Sequence, residues 1–188
     1  MISLETLFWL MIIFFAIIGA LRGWTREVIA MSGLVLSLFA LNQFGDTLMG
    51  FIQIDPNTPI TVDMQRQRFY IMAIAHLMIA FFSYQGPTIV GGRIGDRLRV
   101  RDSVQDKLLG AIVGAINGYL LVGTLWAFLE MNLAPDGNYP FELTTLIRPG
   151  FGSVPPMDIM NNLPLPLLAP YLPILVVVVF LFVIVVMI

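Results

Sequence analysis

The sequence predicts an all-α polytopic integral membrane protein, a bundle of four core transmembrane helices followed by a fifth, C-terminal one. Three observations lead there. Hydrophobic side chains make up 58% of the 188 residues and charged ones only 12%, against about a quarter charged in an ordinary globular domain. The apolar residues come in long blocks, which separates a bilayer-spanning chain from a sticky soluble one. The stretches between the blocks carry the turn residues and most of the charge. A net charge of −2 gives no reason to expect nucleic acid. Cysteine is absent, which excludes disulfides, thiolate metal sites and a cysteine nucleophile.

The first block covers about residues 6–21, and Leu7 to Ile18 holds no polar side chain. It has neither a basic start nor a small-residue cleavage site before Arg22, so it is expected to stay as a transmembrane helix. Arg22, Trp24 and Arg26 follow and are expected at the headgroups. The second block, about 28–44, places Gly33 and Ser37 at i, i+4, a spacing that admits a close neighbour. The short turn between the two blocks predicts an antiparallel hairpin. A polar connection over 45–68 contains the turn signal Asp55-Pro56-Asn57.

The third block runs over about 69–90, and Pro87 is expected to kink or end its last turn. A basic connector with Arg93, Arg97, Arg99 and Arg101 comes next. Ser103 and Asp106 have the spacing of a capping box, so the fourth helix is expected to start near Val104 and run to about Leu129. Gly110, Gly114, Asn117 and Gly118 put a small-residue stripe and an interhelical hydrogen-bonding amide on that helix. Seven prolines (135, 140, 149, 155, 156, 164 and 166) then exclude a long helix over 130–166. That stretch is expected to lie docked on a surface. The last block spans 167–188. The expected organisation is a four-helix membrane domain over 1–130, a proline-rich non-cytoplasmic loop over 131–166, and a C-terminal transmembrane helix over 167–188.

Orientation follows from the basic residues. Arg22, Arg26, Arg93, Arg97, Arg99, Arg101 and Lys107 fall on one side of five spans, seven of the ten basic residues. Arg66, Arg68 and Arg148 fall on the other. Lysine and arginine are retained in cytoplasmic loops, so the N-terminus is expected outside and the C-terminus inside.

Two stretches carry a resemblance. Residues 19–27, GALRGWTRE, and residues 106–118, DKLLGAIVGAING, resemble motifs of the colicin V production (CvpA) membrane protein family. With the order of spans between them, the resemblance covers roughly residues 5–130. It implies a bacterial inner-membrane protein linked to colicin V export and envelope homeostasis, with no catalytic signature. The proline-rich stretch and the fifth span lie beyond it.

The candidate sites are few. His76 is the one histidine, and three readings of it compete: a neutral imidazole bonded to another helix, an axial ligand of chlorophyll or haem, and a proton relay. The acids Glu5, Glu27, Asp106 and Glu130 all fall at span ends, which leaves no second intramembrane acid for a relay. Gly33, Ser37, Gly110, Gly114, Asn117 and Gly118 are expected to pack helices. Arg22, Arg26, Arg93, Arg97, Arg99 and Arg101 are expected to meet lipid headgroups or an acidic partner. No metal-ligand set, catalytic triad or phosphate loop is present, because Gly91-Gly92-Arg93-Ile94-Gly95 follows a transmembrane block and not a strand. The expected function is a non-enzymatic membrane scaffold or accessory protein, with membrane lipids and other membrane subunits as partners and no required cofactor. The alternative is a small subunit of a bioenergetic or photosynthetic complex, docking through the loop and fifth helix, with a pigment or haem at His76. A transporter or channel component is the third reading.

Overall fold

The structure is a computed structural model that describes residues 2–51, 61–89, 104–135, 137–141, 146–147 and 159–187. Its long helices are α1 (Leu4–Arg22), α2 (Trp24–Phe51), α3 (Val62–Ile89) and α4 (Val104–Met131). A short α5 (Pro164–Leu168) and a 3-10 turn lead into α6 (Leu172–Met187). Two residue pairs, Ile2 with Leu146 and Ser3 with Ile147, form a small parallel ladder. The chain is an all-α polytopic membrane bundle. Leu4–Arg22, Trp24–Gly50, Val104–Met131 and Pro164–Val185 are long and apolar enough to cross a bilayer. α3 has 28 residues, about 42 Å of helix. Its first two turns hold Asp63, Gln65, Arg66 and Arg68, and its apolar run begins at Phe69.

Ser3 starts α1, its hydroxyl accepting from the Thr6 N–H at 3.1 Å, as an N-cap should. α1 ends at Gly23, whose φ of +84° suits glycine, and α2 begins on the next residue. The N–H of Trp24 donates to the Asp106 carboxylate at 3.3 Å. Asp106, expected to cap its own helix, thus reaches across to the start of α2, where a carboxylate is favoured. The expected partner in that capping box, Ser103, lies outside the described residues.

The hairpin expectation is corrected by the packing. α1 leans on α4 and only lightly on α2, while α2 packs on α3, α4 and α6. Sequence adjacency loses here because α1 and α4 bring glycines to a common seam. α2 and α3 also extend beyond the expected blocks, since their polar ends are helical too. α3 continues past Pro87 to Ile89. The C-terminal span starts with α5 at Pro164 and not at 167, with proline at a first-turn position where its missing N–H costs nothing.

The described part of the proline-rich stretch is docked. Arg66 Nε donates to the Pro140 carbonyl, and Gln65 Nε2 to the Leu133 carbonyl at 3.0 Å. Phe141 packs edge-on against Phe69, with ring centres 5.1 Å apart. The bundle therefore has two distinct ends. One holds Ser3, the start of α3 and residues 132–135, 137–141 and 146–147. The other holds Gly23, Asp106 and Phe182, whose ring lies 6.4 Å from that of Trp24.

Candidate functional site

A buried polar joint lies where α1, α2, α3 and α4 converge. Its centre is Glu27, in the first turn of α2 and 0% exposed. Arg22, from the end of α1, donates to Glu27 Oε1 at 2.7 Å. Asn117 of α4 donates through Nδ2 to the Glu27 carbonyl at 2.9 Å and to Oε2 at 2.7 Å. The Tyr84 hydroxyl of α3 donates to the same Oε2 at 3.4 Å. Arg22 also donates to the Tyr84 carbonyl at 3.2 Å, and its guanidinium carbon sits 4.6 Å from the centre of the Tyr84 ring. A buried carboxylate survives only when its charge is matched and its lone pairs are filled. Here three helices supply the donors to the carboxylate of a fourth.

Beside the joint runs the α1–α4 seam. A methyl group at Gly19 would overlap the Gly110 carbonyl and stand 2.8 Å from Gly114 Cα. One at Gly114 would overlap the Phe15 carbonyl, and one at Gly118 would lie 2.8 Å from Phe15 Cβ. Backbone therefore meets backbone, the close approach that small residues allow between membrane helices. Gly33 of α2 instead makes room for the Ser83 side chain of α3.

Deeper in the bundle, His76 is fully buried. Its Nδ1 and the Ser37 hydroxyl are 2.8 Å apart, and its ring stands edge-on to Phe128 with centres 6.0 Å apart. Nε2 has no partner of hydrogen-bond geometry, although the Leu121 backbone lies beside the ring.

Several expected residues thus meet in pairs: Ser37 with His76, Asn117 with Glu27, and Gly110 and Gly114 with Gly19. Two placements differ from expectation. Arg22, expected at the headgroups, is turned inward to Glu27, because α3 and α4 close over the end of α1. Glu27 does sit at a helix end, yet it is enclosed and not at the surface. Arg26 is exposed. Arg93, Arg97, Arg99 and Arg101 lie outside the described residues. Among the described residues, no group of three or more histidine, aspartate and glutamate side chains gathers in metal-binding geometry.

Residues 4–149 match the family model for the colicin V production protein. The chain belongs to the colicin V production protein family. The match extends past the expected limit of 130 and takes in the first part of the proline-rich stretch. No curated protein and no solved structure matches the chain. The two stretches that resemble this family, 19–27 and 106–118, are far apart in sequence and packed together in space. Gly19 meets Gly110 and Gly114, Trp24 meets Asp106, and Glu27 meets Asn117. Gly19 and Tyr84 were not among the candidate site residues, and Glu27 was named only as an acid at a span end. Gly19 and Glu27 fall inside the first of those stretches, which was the available signal. Nothing local marks Tyr84.

Proposed function

We propose that this colicin V production family chain is a non-enzymatic scaffold or accessory protein of the bacterial inner membrane. One observation carries the reading. Inside the bundle, the strongest polar groups are engaged in joining helices, as the Arg22–Glu27–Tyr84–Asn117 joint does for four of them. Such a core resists rearrangement and leaves function to the outer surfaces. α6 supports this, since Ile174, Val177, Leu181 and Val185 all face outward. Membrane lipids and other membrane subunits are the partners in this reading.

We also propose the N-terminus outside and the C-terminus cytoplasmic. The side with seven of the ten basic residues is the cytoplasmic one. Of the three basic residues on the other side, Arg66 is engaged by the Pro140 carbonyl and by Asp63 at 3.3 Å. Its charge is thereby held against the protein.

The second reading, a small subunit of a bioenergetic or photosynthetic complex with a pigment or haem at His76, draws on the unpartnered Nε2. The site does not fit a macrocycle, however. The imidazole is fully buried, and Phe128 and the Leu121 backbone lie against it.

The test is extraction of the native assembly in mild detergent, with its members identified by mass spectrometry. The scaffold reading expects membrane-protein partners without pigment or haem absorbance. A fixed-ratio assembly that absorbs as pigment or haem, and loses that absorbance in His76→Leu, would overturn it. Substrate uptake by proteoliposomes of the chain alone would overturn it in favour of a transporter.

A further inference from the structure

A groove between α1, α4 and the turn before α5 stands apart from the buried joint. It encloses about 580 Å³, with Glu5, Phe8, Ile12, Ile116, Trp126 and Leu163 among its walls. Small-molecule sites occupy roughly 300–1,000 Å³. Its floor is well packed, since Phe8, Trp126 and Leu163 are buried. Its rim is open to the bilayer side, where Trp9 and Ile116 are exposed. The Phe8 ring stands edge-on to Trp126 and Tyr119, at 5.3 and 6.1 Å between centres.

The chemistry of the walls is graded along α1. Glu5 lies in the first turn, at the end of the bundle that also holds Ser3. Ile12 lies seven residues further on, about 10 Å deeper along the helix. A carboxylate at the boundary above an apolar slot matches an amphiphile lying parallel to the helix. Two donors of the groove are already engaged: the Tyr119 hydroxyl donates to the Asn162 carbonyl at 2.6 Å, and the Trp126 indole N–H to Glu130 at 3.2 Å. No basic side chain lines the groove among the described residues. Glu5 is thus the one charged wall, and it selects a cationic donor. The rings of Trp9 and Tyr119 favour a cation as well.

We propose that this groove binds an aminophospholipid of the bilayer, with the ammonium headgroup at Glu5 and an acyl chain along Ile12 and Ile116. An anionic headgroup or a carboxylate amphiphile would meet the Glu5 charge unopposed. A quinone-like ring would need hydrogen-bond donors, and those of Tyr119 and Trp126 are in use.

The experiment offers the full chain, in detergent micelles, equal amounts of phosphatidylethanolamine and phosphatidylglycerol, and reads bound lipid by native mass spectrometry. The wild-type chain is expected to retain the ethanolamine lipid about fivefold over the glycerol lipid, the factor that one exposed charge pair provides. Glu5→Gln brings the two to parity. Ile116→Trp, which fills the slot, lowers retention of the ethanolamine lipid at least threefold. Both positions are exposed, and an unchanged melting profile checks that the variants fold. A headgroup-blind pattern in the wild-type chain means annular lipid only and overturns the proposal. So does preferential retention of phosphatidylglycerol, or a preference that survives Glu5→Gln.

Discussion

Replacing Glu27 with alanine removes the acceptor on which four helices converge. Arg22 loses its 2.7 Å partner, and Asn117 and Tyr84 lose Oε2. Asn117 keeps the backbone carbonyl of residue 27 at 2.9 Å, and Arg22 keeps the Tyr84 carbonyl at 3.2 Å. Removing one partner of a buried ion pair costs about 3–5 kcal/mol, because the other charge is left uncompensated. The Arg22 side chain is 22% exposed and reaches some water, so the low end, ~3 kcal/mol, applies to Glu27→Ala. The assay is unfolding in mixed micelles by SDS titration, followed by tryptophan fluorescence and circular dichroism. A double-mutant cycle with Arg22→Ala isolates the pair and is expected to give a coupling of about 1.5–3 kcal/mol. Replacing both residues with leucine is expected to recover much of the loss, since no unpaired charge remains. If the two single alanine variants add to within ~0.5 kcal/mol of the double, the ion pair does not hold the joint and the reasoning fails.

Gly114→Leu should push α1 off α4 and lower stability by about 1–3 kcal/mol, read as a drop in melting temperature by size-exclusion in detergent. An unchanged melt would mean that the seam is not close-packed. Gly33→Ala should destabilise by a similar amount because its methyl overlaps Ser83, and Ser83→Gly in the same chain should restore stability; no rescue would place the strain elsewhere. Ser37→Ala leaves His76 Nδ1 without its partner and should cost ~0.6–2 kcal/mol in the same SDS titration. Adding His76→Leu should recover part of that, whereas an additive loss would separate the two side chains. Single cysteines at Thr58 and Ser103, labelled in intact spheroplasts, should react from opposite sides; modification from the same side would overturn the proposed topology.

Much of the fold was legible because membrane helices announce themselves in composition. The blocks at 6–21 and 104–129 lie within two residues of α1 and α4 at each end. α2 and α3 were drawn short. Their ends, such as Val62 to Arg68, are polar, and a hydropathy reading stops where polarity begins while backbone hydrogen bonding does not. The site was legible in fragments. Gly110, Gly114 and Gly118 announce a packing face by spacing alone, and α1 occupies it, while Asn117 reaches Glu27 of α2. Arg22 was misplaced because an arginine at the end of a span reads as a headgroup anchor. Whether it turns outward or inward depends on what closes over it, and α3 and α4 do so here.

By itself the sequence determined the membrane class, the order of the long helices, and the small-residue stripes along them. These are properties of a single segment: a run of apolar side chains long enough for the bilayer, and a spacing that fixes one helical face. Only the tertiary structure decided which face meets which. It paired α1 with α4 and not with its neighbour α2, and it enclosed Glu27 among Arg22, Tyr84 and Asn117. It also brought residues 19–27 and 106–118 into one joint. The physical reason is that a buried carboxylate must be matched by donors from separate helices, and no local pattern records where those helices come together.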